Sequence, residues 1–452
     1  MKIIIVATTP FFTERGTHIR ILNEAISVAK AGHFVEIITY PIGKNPKECV
    51  ENNIKITRIS NVFPWYTKTS AGPSFAKVFF DIVLSFKLFF RVLSEKPDIL
   101  YAHNHEAVIA SFLVQKILFW RRIRTVGDFH GGLVSEMIIY KGIKYSVVKK
   151  FFSLIEDAIY KMPDQSIASS RPLTEYISKD ILNYETPELS SSRMRGSKLI
   201  KLMQHNLDSR RSENDIKNRK KACSVFYDAP SIPFVFHDKK KMREKYAVSQ
   251  EAFVILYTGG FTKDKGIDVL LSLIRECVFC HSCVGRNPGS NASLRRVRHS
   301  FSEGGSTERR GNPGSTNIFW IIAGDPLEAL QIPADISSHI KIVSPLDPTT
   351  LGELLSLADS AIDPKEQNSL QASGKIINYM QYGLPVFCFD NAISRDYFGD
   401  ELADKLTGKN LDLLQKKILY FLKHKDECVI MKDTMQNRVK LFSWNNIVDI
   451  LK

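Results

Sequence analysis

The sequence contains no run of about 18 uncharged apolar residues, so it predicts no membrane-spanning helix. The apolar start, MKIIIVATTPFF, is too short for an export signal, and no small-residue cleavage site follows it. We therefore expect a cytoplasmic protein whose seven cysteines stay reduced. With 452 residues, of which 44% are hydrophobic and 24% charged, the chain can bury sizeable cores without disulfides or a structural metal.

The positive charge is concentrated rather than spread along the chain. Residues 183–222 carry +5 and residues 277–317 carry +4 of the total net charge of +14. A nucleic-acid-binding interpretation would depend mainly on these two polar stretches, so we expect no nucleic-acid partner. In the second stretch, RNPGSN nearly recurs as RGNPGSTN, and we predict a disordered insertion there.

Cysteine and histidine come together at Cys277-Val-Phe-Cys280-His281, which matches the C-x-x-C-H pattern of haem attachment. With Cys283, a zinc site is an alternative. Haem attachment needs export, and the adjacent Cys280 and His281 crowd a tetrahedral metal. We therefore interpret these cysteines as incidental and predict neither a metal nor another cofactor.

Buried strands and amphipathic helices alternate along most of the chain. The runs at Lys2–Ala7, Phe253–Tyr257 and Ile318–Ala323 are almost entirely apolar, as in parallel strands covered on both faces, and Arg124–Phe129 is predicted to be another strand. Helical patterns lie between them, and Thr17 is a candidate N-cap of the first helix. The pattern predicts an α/β protein with two Rossmann-like, doubly wound domains that face a cleft.

The polar stretches define the expected domain boundaries. We predict an N-terminal domain over residues 1–182, a basic insertion or linker over 183–222 and a C-terminal domain over 223–426. The C-terminal domain would hold the insertion at 277–317, and helices in 427–452 would follow it.

One helix is unusually rich in phenylalanine. In AKVFFDIVLSFKLFFRVL, residues 76–93, the charged residues fall within about 120° of arc at 100° per residue. The rest of the circumference is apolar. Two interpretations remain open, packing of this helix on the sheet or peripheral contact with a membrane surface.

Two turns that connect a strand to a helix have the features of anion sites. The first runs from Thr9 to His18, where Gly16 allows a close approach of the backbone to a ligand just before the first helix. The second, TGGFTKDKG, carries Lys263 and Lys265 in front of a helix and could neutralise a diphosphate. An ordinary solvated turn is the alternative in both cases.

A further helix starts at Ser373-Gly374-Lys375 and ends at Gly383. A lysine in the first turn opposes the helix dipole, which favours an anionic ligand at this position. His130 follows the strand TVGDF, at the edge of the sheet where α/β proteins bind ligands, and His103, His105 and Glu106 follow another strand. Each histidine could equally be structural.

The chain contains, in this order, the segments ERGTHIR, HNHE, DFHGG, SIASS, YTGGFTKDKG, IIAGD, GKIINYMQYGLPV and FSW. With these segments in this order, the chain resembles the retaining, nucleotide-sugar-dependent glycosyltransferases of family 4 (group 1), which have the GT-B fold. The resemblance covers most of the chain outside 183–222 and 277–317. FSW is similar to the start of that family's closing segment, so the resemblance implies that the helices in 427–452 cross back to the first domain. It implies transfer of a hexosyl group from a UDP- or GDP-linked sugar, with the donor bound mostly by the second domain.

The resemblance also implies roles for individual residues. His130 would contact the transferred sugar, and Lys265 would stabilise the departing diphosphate. The implied donor-binding residues are Gly16, Gly260, Lys263, Lys265, Ser373, Gly374, Lys375 and Asn378. On the acceptor side we expect Glu14, Arg15, His18 and His105. The acceptor is expected to be an envelope or lipid-linked glycan at the inner membrane face.

The chain departs from the family pattern at three positions. Gly260 stands where an arginine is usual, and Leu370 and Asn378 stand where a pair of glutamates is usual. Some members use a Ser-x-Lys helix start instead, which matches Ser373 and Lys375. Catalysis would then be mainly electrostatic. A non-catalytic sugar-nucleotide-binding protein is the main alternative, and an NAD-dependent oxidoreductase, which would need a G-x-G-x-x-G motif, is a third.

Overall fold

A computed structural model describes residues 1–13, 15–67, 74–139, 146–181, 223–283, 318–365 and 370–452. The predicted linker 183–222, the predicted insertion from residue 284 to 317 and Glu14 lie outside the described residues.

The first sheet consists of parallel strands, of which the central ones are almost fully buried and the two edge strands are only partly buried. Its order is β3-β2-β1-β4-β5-β6-β7. The strands are β1 (Lys2–Ala7), β2 (Phe34–Thr39), β3 (Lys55–Arg58), β4 (Ile99–His103), β5 (Arg124–Phe129), β6 (Gln165–Ala168) and β7 (Cys223–Val225). The helices are α1 (Gly16–Lys30), α2 (Lys47–Glu51), α3 (Phe75–Glu95), α4 (Asn104–Ile117), α5 (Leu133–Ile139), α6 (Ser146–Tyr160) and α7 (Arg171–Ile181).

The second sheet is also parallel, in the order β10-β9-β8-β11-β12-β13. Its strands are β8 (Phe253–Thr258), β9 (Ile318–Ala323), β10 (Ile340–Val343), β11 (Ser360–Asp363), β12 (Val386–Phe389) and β13 (Thr407–Gly408). The remaining helices are α8 (Lys239–Lys245), α9 (Ile267–Cys283), α10 (Pro348–Leu357), α11 (Gly374–Gln381), α12 (Ala392–Phe398), α13 (Asp400–Leu406), α14 (Leu411–Lys423), α15 (Lys425–Val439) and α16 (Asn446–Leu451). Two Rossmann-like sheets are thus present, and the predicted fold class is confirmed.

Several boundaries differ from the prediction. Strand β7 pairs with β6, so the chain from residue 223 first completes the N-terminal sheet before it enters the second domain. Helix α9 continues to Cys283, and Cys277 is fully buried in the second core, so the expected insertion cannot begin at 277. Helix α1 begins one residue before Thr17, and its N-cap is Arg15, because Gly16 already has a helical position.

The C-terminal helices divide between the two domains. Met431 and Met435 of α15 belong to the core of the second domain. Ile447 and Leu451 of α16 pack instead into the first domain, against the sheet face that α1 covers. Of the segment 427–452, α16 and the preceding Trp444 therefore pack against the first core, whereas α15 stays with the second domain.

Helix α3 packs on the sheet with the side that carries its charged residues, and not with its phenylalanine-rich side. Its buried residues Phe80, Leu84, Leu88 and Val92 are interleaved with charged ones. Arg91 donates to the fully buried Glu36 at 2.8 Å, and Tyr40 donates to Asp81 at 2.5 Å. Because these charged side chains find partners at the sheet, the broad phenylalanine-rich face of the helix is left exposed. Among the described residues, no helix combines the length and apolarity needed to cross a bilayer.

Candidate active site

The candidate site in the second domain lies where the order of strands reverses. Strands β8 and β11 are neighbours, although β9 and β10 extend from the other side of β8. Ligands of doubly wound sheets bind in the crevice at such a point. The turn after β8 and the segment after β11 meet there, since a Cβ on Gly266 would lie 2.2 Å from the carbonyl oxygen of Pro364. Gly266 also has a φ of +78°, which favours glycine.

The two lysines of this turn have different positions. Lys265 is partly exposed and lies 3.0 Å from Asp264 in its own turn, beside the segment that follows β11. Lys263 is 88% exposed and pairs with Asp268 on α9. The geometry therefore favours Lys265 over Lys263 as a phosphate ligand. Gly260 is not crowded, since a Cβ there would have its nearest neighbours at 3.6 Å.

Lys375 in the first turn of α11 already has an anionic partner in the protein. Its Nζ lies 2.9 Å from Asp363 at the end of β11 and 4.3 Å from the centroid of the Tyr257 ring. Burial works against ionisation of Asp363, but the Lys375 ammonium, together with a hydrogen bond to Ser373 and the charge of Lys365, outweighs it, and the pKa of this carboxyl is lowered. The unusual lysine is therefore explained by Asp363 and does not by itself require a ligand. It still points toward the crevice, because a Cβ on Gly259 would lie 3.6 Å from Nζ.

Sequence reasoning missed Lys365. It follows β11 by two residues, and its Nζ donates to the backbone oxygen and the side-chain oxygen of Gln371 at 3.0 and 3.1 Å. A pocket beside it is lined by Asp363, Lys365, Gln371, Ser373, Ile376, Cys388, Phe389, Asn391, Ile393 and Ser394. Without a motif around it, Lys365 could be found only once the topology had brought β8, β11 and α11 together.

Asn378 does not face this crevice. Its Oδ1 accepts hydrogen bonds from the backbone and the hydroxyl of Ser231 at 3.0 and 3.2 Å, and its Nδ2 donates to the same hydroxyl. The side chain is 9% exposed. This arrangement does not support the predicted role of Asn378 in donor binding, because Ser231 already occupies its amide.

Gly374 links the start of α11 to the first domain. A Cβ at this position would lie 2.7 Å from Asp228 Oδ2. The other oxygen of Asp228 accepts from Arg20 of α1 at 2.8 Å. Glycine is therefore required at position 374 by a close approach to an ion pair that joins the two domains. Ser373 lines the pocket and precedes the helix, but its side chain makes no capping hydrogen bond.

Across from this crevice, the first domain holds a buried cluster around Asp128. The Oδ2 atom of Asp128 lies 3.0 Å from His130 Nε2, 3.2 Å from His103 Nδ1 and 2.8 Å from Arg20 Nε. Burial lowers the pKa of His103 to about 4, so this imidazole is neutral at physiological pH. His130 is 5% exposed, and Asp128 fixes its orientation.

The same cluster contains residue types that can bind a metal ion. One ligand atom from each of His103, Asp128 and His130 lies within 4.8 Å of the others. Arg20, however, donates to both oxygens of Asp128, at 2.8 and 3.0 Å. A divalent cation would have to displace this buried guanidinium, so the donor set does not fit a metal in this arrangement.

The structure does not place all the predicted acceptor-side residues at the cleft. His18 is 1% exposed and lies within hydrogen-bond distance of Thr9 Oγ1 and the Thr13 backbone, at 2.6 and 3.0 Å. It fixes the turn after β1 instead of facing a ligand. His105 packs against Phe129 and Tyr160, and burial lowers its pKa to about 3. The prediction is therefore wrong for both histidines, whereas Arg15 and Gly16 remain accessible at the start of α1.

Comparison with known proteins agrees with this architecture. Residues 15–182 match the model of the family "Glycosyltransferase Family 4". No curated protein sequence matches the chain. Among solved structures, sucrose-phosphate synthase from Thermosynechococcus elongatus is similar with a TM-score of 0.66 at 10% identity, over 100% of this chain and 96% of that one.

Two further solved structures are similar over the whole chain. A glycosyltransferase from Rickettsia africae has a TM-score of 0.60 at 14% identity, with 96% of its chain covered. HepE from Anabaena, in complex with UDP and glucose, has a TM-score of 0.61 at 12% identity, with 98% covered. The chain thus has the predicted GT-B fold, and residues 15–182 are similar to glycosyltransferase family 4.

Proposed function

We propose that this chain transfers a hexosyl group from a UDP- or GDP-linked sugar to an envelope or lipid-linked glycan, with retention of configuration. The observation that carries the proposal is the convergence of Lys265, Lys375 and the start of α11 at the strand-order reversal of the second sheet. A diphosphate is the ligand whose charge and size suit two ammonium groups beside a helix N-terminus.

The first domain would supply the other half of the reaction site. Asp228, bound to Arg20 on one side and packed against Gly374 on the other, holds the start of α11 near the Asp128 cluster. His130, oriented by Asp128, would contact the transferred sugar. During transfer the bond from the anomeric carbon to the diphosphate breaks and the acceptor oxygen bonds to that carbon. The acceptor proton passes to the departing diphosphate. Lys265 and Lys375 would stabilise the negative charge that develops on it.

A membrane-associated acceptor is supported by the exposed apolar face of the first domain. Helix α4 contacts both α3 and α6, and all three helices expose large apolar side chains. These are Phe75, Val78, Phe79, Ile82, Phe86 and Phe90 on α3, Leu113 and Ile117 on α4, Phe119 and Trp120 after it, and Val147, Phe151 and Leu154 on α6. Exposed basic residues accompany them, namely Lys87, Lys116, Arg122, Lys149 and Lys150.

This combination suits one kind of partner. Contiguous apolar surface of this extent marks an interaction site, and cations around it favour anionic lipid. We therefore propose peripheral attachment of the first domain to the inner face of a membrane, where a lipid-linked acceptor would be presented.

A non-catalytic sugar-nucleotide-binding protein is the second candidate. It is favoured by the absence of the usual glutamate pair, since Leu370 is apolar and the Asn378 amide is engaged by Ser231. Binding without turnover of any nucleotide sugar would support it.

Turnover of nucleotide sugars tests the proposal directly. Full-length protein is incubated with UDP- and GDP-hexoses and membrane-extracted glycolipid, and release of UDP or GDP is measured. We expect release that depends on acceptor, and NMR of the product should show the anomeric configuration of the donor. Lys265→Ala should reduce turnover by about 10- to 100-fold, whereas Lys416→Ala, on the surface of α14, should not. Release that is independent of acceptor, or an inverted product, would contradict the proposed reaction.

A further inference from the structure

The crevice of the second domain contains three lysines and two carboxylates. Lys375 pairs with Asp363 at 2.9 Å and Lys265 with Asp264 at 3.0 Å. Lys365 lies among them, and its hydrogen-bond partners within the described residues are the two uncharged oxygens of Gln371. Within the described part of the chain, it makes no ion pair, and the neighbouring Glu366 lies outside that part. The cluster thus has one cation more than the carboxylates that pair with it.

The position of Lys365 connects the two phosphate-binding elements. The turn that carries Lys265 packs directly on the backbone of Pro364 and Lys365, because a Cβ on Gly266 would lie 3.2 Å from the nitrogen of Lys365. On its other side, Lys365 shares a pocket with Ser373, the residue before α11. Asn391 and Ser394 add polar groups to the same pocket. Lys365 is therefore central to the crevice, between the turn and the helix start.

We propose that Lys365 is a third lysine of the donor-phosphate site. Its ammonium group would give up its hydrogen bonds to Gln371 and bind the diphosphate from the side of this pocket. This inference rests on the proposed function, because it assumes a nucleoside diphosphate donor. It supplies a cation near the site where the chain has Gly260 in place of the arginine that is usual in the family.

Charge around Lys365 gives the site a dependence on pH. Burial, followed by the positive charge of Lys265, lowers the pKa of Lys365 to about 7, although Asp363 acts in the opposite direction. Lys375 and Asp264 are the other charged groups that face it, and Cys388 lines the pocket. Below pH 7 the lysine is charged and ready for an anion. Above pH 7 it must take up a proton on binding, so affinity should fall by up to about tenfold per pH unit.

Calorimetric titration with UDP and GDP tests the inference. The full chain is titrated at pH 7.5 and 8.5, in buffers that differ in ionisation enthalpy, as wild type, Lys365→Met and Lys365→Arg. For the wild type we expect proton uptake on binding and a several-fold loss of affinity at the higher pH. Lys365→Met should bind about 10-fold more weakly at pH 7.5, with no uptake. Lys365→Arg should bind well at both pH values without uptake, because arginine stays charged.

Three results separate the possible failures. Lys416→Met on α14 serves as the surface control, and a melting curve for each variant confirms folding. If the wild type binds UDP or GDP and Lys365→Met binds equally well, the inference is overturned while the proposed function stands. If the wild type binds without proton uptake, and if the affinity of Lys365→Arg depends on pH in the same way as that of the wild type, Lys365 is not part of the phosphate site. If the wild type binds neither nucleotide, both are wrong.

Discussion

The ion pair between Lys375 and Asp363 leads to a quantitative prediction about stability. Asp363 is 3% exposed and Lys375 is 18% exposed, with 2.9 Å between Nζ and Oδ1. Lys375→Ala would leave a buried carboxylate without its cation. Breaking a buried pair on one side costs roughly 3–5 kcal/mol, and we expect about 3 kcal/mol because the lysine is partly solvated. For a domain of this size, the melting temperature should fall by about 6–12 °C.

The sign of the pH dependence distinguishes this mechanism from a simple loss of packing. In the wild type the pKa of Asp363 is lowered, so the stabilisation is present at neutral pH and disappears only as the pH falls below the ordinary range of an aspartate. In Lys375→Ala, burial without the lysine raises this pKa above its unfolded value. The ionised carboxylate of Asp363 then destabilises the folded state at pH 7.5, and this effect disappears when the carboxylate becomes protonated in mild acid. The difference in melting temperature from the wild type should therefore shrink at pH 5.

Differential scanning fluorimetry at pH 7.5 and pH 5 measures both effects. Lys375→Met/Asp363→Asn is the matched control, because it removes both charges and should recover most of the lost stability. In that stable background, binding of UDP or GDP should weaken by about 10- to 100-fold relative to the wild type, while binding of uridine or guanosine should not. A Lys375→Ala protein as stable as the wild type at pH 7.5, or equally destabilised at both pH values, would refute the role assigned to the pair. Equal weakening for nucleoside and nucleotide would remove Lys375 from the phosphate site.

Three other predictions concern the membrane face, the insertion and the domain contact. Replacing Phe75, Phe86 and Phe90 with serine should lower flotation with anionic liposomes at least severalfold, with little change in melting temperature, because these side chains are 78%, 63% and 62% exposed. Unchanged flotation would rule out attachment through α3. Exchanging 284–317 for a short Gly/Ser linker should shift the melting temperature by only about 1–2 °C, which corresponds to roughly 0.5 kcal/mol. A deletion that starts at Cys277 should cost about 2 kcal/mol or more, since Cys277 is fully buried. Equal effects would show that the insertion does not begin after α9. Gly374→Ala should cost about 1–3 kcal/mol in a melting experiment, because its Cβ would lie 2.7 Å from Asp228. Gly16→Ala is the control, since a Cβ at position 16 would have no atom within 4 Å. Equal stability of the two variants would show that Asp228 moves freely.

Local sequence patterns were sufficient for most of the strands and for the order of helices. Strands β1, β5 and β9 begin and end where the sequence predicted. In β1 and β9 the signal was a nearly unbroken apolar segment, which a strand covered on both faces needs. Short edge strands such as β7 escaped prediction, since three residues carry no periodicity. The extent of α9 was underestimated, because its last turns run into the cysteine-rich segment that looked irregular.

The candidate site was only partly accessible from sequence. Motifs located Lys265, Lys375 and His130, because each follows a strand at the edge where parallel sheets bind ligands. They could not show that Lys375 is held by Asp363, that His18 and His105 are buried, or that Asn378 bonds to Ser231. Such facts depend on residues far apart in the chain.

Local sequence patterns were sufficient to predict an α/β chain with two parallel sheets and candidate anion-binding turns. Apolar periodicity, glycines and turn lysines favour such structures through interactions that span only a few residues. Tertiary structure alone decided which charges are satisfied within the protein. Arg91 and Asp81 turn the charged side of α3 toward Glu36 and Tyr40, which leaves the phenylalanines exposed. A charge in a sequence has no partner until the fold supplies one, and the cost of burying it unpaired determines which side of a helix faces the core.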